Sequence, residues 1–297
     1  GGCTVAGTAI PLGCVSAAGA KARNADTLFS YRVGLNYKPV EAVSIYAAYG
    51  NSRTPSKNSV NGSCTADTRG VVNTTCNINP ESAKNYEIGV KGELFDGGLL
   101  LTASAFRNER DKYAVVSGDP TVPNQQLDGK SRVDGIALGA SGAITSAWTI
   151  TANYTYLKAK LLQSVSDNCL ANPGTGTCTN TPANPNPGAG QFLPQTPKHS
   201  GSLFTTYRLP FGLTVGYGLT YQDGFLLAAA TPAAAAVKSN DFLIHQGYLA
   251  YEFSPNFSAQ LNVKNIGDKT YYTRIRNNGW ATPGDARSAV LTLTAKM

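Results

Sequence analysis

Apolar and polar residues alternate along this chain with a period of two, segment after segment, and that period constrains the fold more than any other feature. Val43, Ile45, Ala47 and Tyr49 alternate with Ser44, Tyr46 and Ala48. Tyr86, Ile88, Val90 and Leu94 interleave with Glu87, Gly89, Lys91 and Glu93, which puts apolar groups on one face of a strand and charges on the other. The pattern returns at Trp148–Tyr156, Leu213–Tyr221, Phe257–Lys264 and Ala289–Lys296. Strands with two unlike faces make a wall between two unlike media. Only 14% of the residues are charged, where a soluble domain carries about a quarter. Glu, Lys and Gln, which solvate helix surfaces, are scarce. A disordered polyelectrolyte is excluded by the low charge. A helical membrane protein is excluded because no long apolar run exists to cross a bilayer.

The connections carry as much information as the strands. Short turns occur at Lys38–Glu41, Asp96–Gly98, Thr145–Ala147, Leu209–Gly212 and Ser254–Asn256, all with Gly, Pro, Asn, Asp or Ser turn chemistry. Between them lie long connections near 53–81, 110–129, 161–196, 224–238 and 274–284, and residues 1–26 look like another. Tight turns at one end and extended loops at the other are the layout of an outer-membrane β-barrel, with the loops outside the cell. The start Gly1-Gly2-Cys3-Thr4 has neither a basic nor an apolar leader region, so processing or truncation is expected to have produced it.

Six cysteines fall into three close pairs, Cys3 with Cys14, Cys64 with Cys76, and Cys169 with Cys178. All lie in long-loop segments, and none has the spacing or His partners of a zinc site. Three loop-stapling disulfides in an oxidising compartment are expected.

The pattern yields about eleven strands, near 27–38, 42–52, 82–95, 99–110, 129–143, 147–160, 197–209, 212–223, 239–253, 256–272 and 285–297. The expected fold is therefore all-β, a transmembrane antiparallel β-barrel present in part. An odd count cannot close without a parallel seam, and bacterial single-chain barrels use even numbers of antiparallel strands.

Two blocks resemble a known family. Asn262-Val263-Lys264-Asn265-Ile266-Gly267-Asp268-Lys269-Thr270-Tyr271-Tyr272, followed by Arg274–Gly284 and Arg287–Val290, resembles the C-terminal end of TonB-dependent siderophore receptors, the catecholate type most of all. Pro80–Lys91 resembles a hairpin strand of the same family. The resemblance implies that residues 1–297 are the C-terminal part of a receptor barrel in the bacterial outer membrane. The plug domain, the TonB box and the first strands are then expected to lie elsewhere in the protein. It implies uptake of a ferric siderophore driven by TonB, iron entering only within that ligand, no resident cofactor or metal site, and no enzymatic activity. Outer-membrane lipid and the barrel-assembly machinery are the other implied partners. The family ends its last strand in an aromatic residue that this machinery reads, and Met297 stands at that position here.

A ferric siderophore is commonly anionic, and the net charge of +7 suits it. The candidate ligand residues are Arg274, Arg276 and Trp280 with Tyr271 and Tyr272, and a second set of Arg107, Arg110, Lys112 and Tyr113. Arg offers planar donor forks to catecholate or carboxylate oxygens, and Trp and Tyr stack on aromatic rings. The competing role for each is structural, as an ion-paired lumen charge or a ring of the interfacial girdle. His199 and His245 have no Ser or Cys partner in a catalytic arrangement and are expected to be hydrogen-bonded wall residues. Basic residues are scattered rather than gathered, which argues against nucleic acid. The alternative function is a passive porin-like or adhesion barrel.

Overall fold

The computed structural model describes residues 4–5, 8–9, 27–54, 80–115, 117–118, 126–228, 235–276 and 279–296. A small hairpin, β1 (Thr4–Val5) and β2 (Thr8–Ala9), precedes the wall. The wall begins with β3 (Tyr31–Val40), β4 (Val43–Thr54), β5 (Glu81–Leu94), β6 (Leu99–Val115), β7 (Gln126–Thr145) and β8 (Trp148–Gln163). After helix α1 (Asp167–Ala171) come β9 (His199–Arg208) and β10 (Leu213–Gln222), then a loop ribbon of β11 (Leu226–Ala228) and β12 (Val237–Lys238). The wall ends with β13 (Phe242–Ser254), β14 (Phe257–Lys264) and β17 (Ser288–Ala295). Between these last two strands a second ribbon rises, β15 (Tyr272–Ile275) with β16 (Ala281–Pro283).

Eleven strands form one antiparallel sheet in the order β17-β14-β13-β10-β9-β8-β7-β6-β5-β4-β3, an up-and-down meander with β3 and β17 at its edges. The expected strand set is therefore present, with two differences. β6, β7 and β8 run to Val115, back to Gln126 and on to Gln163, taller than the alternation implied. The strand expected over 256–272 stops at Lys264, where Asn265 and Asp268 turn the chain at positive φ, 47° and 51°.

Register assigns the two faces. Leu35, Ala47, Ile88, Ala105, Ile136 and Tyr156 are paired in one row across β3 to β8. A parallel row places Leu101, Ala140, Ala152, Leu203, Leu219 and His245 together across β6 to β13. On this face Leu35, Ile88, Leu138, Leu249, Leu291 and Leu293 are exposed, Leu293 by 73%. An apolar face that large on a single sheet layer is a lipid-facing surface. Two aromatic belts bound it. Tyr31, Tyr49 and Tyr86 follow one another at ring separations of 5.8 and 5.0 Å toward the long-loop end. Tyr37, Trp148, Tyr207, Phe211, Phe253 and Phe257 gather at the short-turn end. Both histidines lie on the outer face and bond to tyrosine hydroxyls, His199 to Tyr154 at 2.7 Å and His245 to Tyr217 at 2.6 Å.

The opposite face is polar. There the Tyr46 hydroxyl donates to Glu87 at 2.6 Å, Lys91 lies over the Tyr46 ring, and Asn153 donates to Ser202 at 2.7 Å. Aromatic rings on this side fold over glycines of the next strand. A Cβ on Gly135 would sit 2.2 Å from the Phe106 ring, and one on Gly89 would sit 2.5 Å from the Tyr46 ring. At Gly142 the φ of +139° and the Gly98 carbonyl, 2.1 Å from where a Cβ would be, fix a tight strand end. In the complete receptor, Gly135→Ala should cost about 1–3 kcal/mol by displacing the Phe106 ring. Gly92→Ala, with nothing within 4 Å of its new methyl group, should be neutral. Urea-unfolding midpoints of the two variants check this.

Candidate functional site

Elements at the long-loop end hold the candidate ligand residues, each by a different local device. In β6 the register slips between Asp111 and Tyr113, and Lys112 occupies the bulge at φ +64°. A bulge re-aims the side chains beyond it, so Tyr113 joins Arg110 on the polar face. The Arg110 guanidinium lies 5.7 Å from the Tyr113 ring centre and pairs with Glu81. The Tyr113 hydroxyl donates to the Gln163 carbonyl at 2.9 Å, and its ring covers Gly129. β6 is 17 residues long, against the roughly 9–11 that cross a bilayer, so its last turn of chain stands clear of the membrane. Burial there pushes the Tyr113 phenol up, against the opposing pull of the Arg110 charge. Arg107 is placed on the other, outward face, bonded to Asp134 at 2.6 Å. The second candidate set is thus split between the two sides of the wall.

The first set is brought together on the β15–β16 ribbon. Its base is pinned by Asn265, which is 2% exposed. The Asn265 side chain donates to the carbonyls of Lys269 at 2.9 Å and Asp285 at 3.0 Å, and accepts from the Lys269 amide at 2.9 Å. Asp268 and Arg287 close the same turn as an ion pair at 3.5 Å. Tyr271 packs its ring 4.8 Å from Phe242 and over Gly284, so it is the ribbon's foot. Tyr272, Arg274, Arg276 and Trp280 are exposed, Trp280 by 74%. The Arg276 amide donates to the Trp280 carbonyl at 2.8 Å, which sets these two residues at the tip.

The β8–β9 connection is a small folded unit. Cys169 and Cys178 are joined by a disulfide, as their spacing implied. Cys3, Cys14, Cys64 and Cys76 lie outside the described residues. Ser166 caps α1, accepting from the Cys169 amide at 3.1 Å and donating to the Ser117 carbonyl at 2.5 Å. Asn180 donates to the carbonyls of Cys169 and Pro185 at 2.6 and 2.7 Å. A Cβ on Gly118 would overlap both sulfurs, at 2.1 and 2.2 Å, so the β6–β7 connection rests directly on the disulfide.

A cleft of about 730 Å³ opens between the β8–β9 and β10–β13 connections, lined by Phe192, Phe225, Lys198, Lys238, Asp223 and Asp241 among others. The sequence reading missed it. These residues are distant along the chain, and only the meander brings the tops of β9, β10 and β13 together. Among the described residues no cluster of His, Cys, Asp and Glu could hold a metal ion.

One antiparallel sheet with a lipid-facing side, two aromatic belts, a polar inner side and long loops at one end is the wall of an outer-membrane β-barrel. The family described as TonB dependent receptor-like, beta-barrel matches residues 11–266, and the chain belongs to it. The probable TonB-dependent siderophore receptor PiuA of Acinetobacter baumannii is 33% identical over 281 residues, covering 95% of this chain and 35% of that protein. The crystal structure of that receptor superposes with a TM-score of 0.68 at 32% identity, over 90% of this chain and 35% of that one. The ferric-catecholate import receptor Fiu of Escherichia coli K12, in its closed form, gives a TM-score of 0.69 at 26% identity, over 90% and 34%. The chain therefore spans about a third of the length of the relatives it matches. Members of the family are outer-membrane receptors and transporters rather than enzymes.

Asn265→Ala removes three hydrogen bonds from a buried turn and leaves a non-glycine residue at positive φ, at a cost of about 2–4 kcal/mol. Limited proteolysis of the complete receptor should then cut within 265–287 first. Replacing Cys169 and Cys178 by Ser should speed amide exchange around both 117–118 and 164–186, because Gly118 rests on the disulfide, and leave β13 and β14 unchanged. Exchange mass spectrometry reads both.

Proposed function

We propose that this chain forms about half the barrel wall of a TonB-dependent receptor that takes up a ferric siderophore of catecholate type. The plug, the TonB box and the remaining strands belong to the rest of the protein. The match of residues 11–266 to the family's barrel domain carries the reading. Relatives named as siderophore and catecholate receptors support the ligand class. The ribbon tip supports a role in capture: Arg274 and Arg276 offer planar donors to catecholate oxygens, and Trp280 a ring that can stack on the ligand. Iron enters as part of the ligand. Release into the periplasm draws on TonB through the plug, so the wall's share of the work is to hold the loops and leave a polar lumen behind them.

Uptake of radiolabelled ferric catecholate by cells carrying the complete receptor tests this. Uptake should vanish on deletion of the receptor, and equally on loss of TonB. Arg274→Ala with Arg276→Ala should lower uptake at limiting ligand by about tenfold, the worth of one charge-assisted hydrogen bond. Uptake that persists without TonB would assign the protein instead to passive channels.

A further inference from the structure

The segment 190–193 returns alongside β8 and leaves one edge of its backbone open. The Leu161 amide donates to the Gln191 carbonyl at 2.9 Å and the Leu193 amide to the Ala159 carbonyl at 3.1 Å. Phe192 therefore stands opposite Lys160 as the pair between those bonds, with its own N–H and C=O turned away from β8. On that far side runs the β10–β13 connection, tied to the segment where the Gln195 amide donates to the Leu226 carbonyl at 2.7 Å. Between the two lies the cleft of about 730 Å³ that Phe192 and Phe225 line. Among the described residues the Phe192 N–H and C=O have no hydrogen-bond partner. Lys198, Lys238, Asp223 and Asp241 bring charges of both signs to the same cleft. Among the described residues none of them makes an ion pair or a side-chain hydrogen bond. Lys198 lies over the Tyr156 ring, 5.9 Å from its centre. Phe225 is buried, whereas Phe192 is 51% exposed, a large ring that its own chain leaves uncovered. Tyr156 and Lys160 share the outward face of β8, and Asp223 donates its amide to the carbonyl of outward-facing His199 at 2.8 Å. The cleft is thus placed on the outer side of the wall, opposite to Arg110 and the lumen.

We propose that this cleft binds a short zwitterionic peptide with an aromatic side chain, laid down as an extended strand beside Phe192. A strand added there supplies the acceptor and the donor that the Phe192 N–H and C=O lack. Its ring packs against Phe192 and Phe225. Its terminal ammonium meets Asp223 and Asp241, and its terminal carboxylate meets Lys198 and Lys238. The volume lies within the roughly 300–1,000 Å³ of small-ligand sites, which join apolar walls to a few placed polar groups. A purely anionic ligand would meet two repelling carboxylates here, and like charges brought together oppose binding. That separates the cleft from the cationic tip of Arg274 and Arg276, to which the ferric ligand is assigned above.

The test is equilibrium dialysis of the complete receptor in detergent against the tritiated tripeptide alanyl-phenylalanyl-alanine. Wild type should bind it. Acetylating the peptide's amine or amidating its carboxylate should each weaken binding about fivefold, the scale of an exposed ion pair. Trialanine, which lacks the ring, should bind about tenfold more weakly. Asp223→Asn with Asp241→Asn should make the free and acetylated peptides equivalent, and Lys198→Gln with Lys238→Gln the free and amidated ones. If a variant fails to fold, the peptide derivatives decide the matter on wild type alone. A saturating ferric catecholate should leave the tripeptide's affinity unchanged. No binding at millimolar tripeptide, indifference to both terminal charges, or displacement by the ferric catecholate would each overturn the proposal. Binding is read without iron or TonB, so its outcome is independent of the uptake experiment.

Discussion

Hydrocarbon offers no hydrogen-bond partner to a peptide group, and everything in this structure follows from that. Each unpaired N–H or C=O left in lipid costs several kcal/mol as an order of magnitude. The wall answers with an unbroken antiparallel ladder from β3 through β17, every interior strand paired on both sides. Backbone pairing in turn frees the side chains. They need only be apolar outward and polar inward, so the row through Ile88 and Ile136 and the opposite face with Glu87 and Asn153 can coexist on one sheet layer. The same rule applies to the two edges. We propose that β3 and β17 pair with further strands of the receptor, since an open edge in lipid would forfeit what the interior secures.

Beyond the membrane the rule lapses, and stability comes from small polar knots. Among the described residues the largest fully buried side chains do not form a hydrophobic core; they are Asn180, Asn265, Cys169, Ser117 and Ser166, all in connections. Each knot ties backbone that would otherwise be free. Asn265 satisfies two carbonyls and one amide, Ser166 links two connections, and the disulfide provides the surface on which Gly118 lies. Loops built this way can present Arg274, Arg276 and Trp280 in a defined place without a core beneath them.

The wall was legible in the sequence because alternation and turn residues are direct consequences of the ladder. Strand ends were less so. Above the membrane both faces are polar, so the alternation that marks β6, β7 and β8 fades while the pairing continues. Tyr271 and Tyr272 look like strand continuation, yet Asn265 and Asp268 have already turned the chain. The separation of Arg107 from Arg110 follows from their odd spacing. The redirection of Tyr113 does not, because nothing in Asp111-Lys112-Tyr113 announces a bulge. The cleft between Lys198 and Lys238 is a product of topology, and no local signal could have revealed it.

Site-directed spin labelling of the complete receptor in bilayers tests the assignment of faces most directly. Labels at Ile88, Leu138 and Leu249 should be relaxed by oxygen and shielded from a water-soluble nickel chelate. Labels at their neighbours Glu87, Ala137 and Tyr248 should show the reverse. Loss of that alternation, or the same accessibility at both positions of each pair, would contradict a wall with lipid on one side and an aqueous lumen on the other.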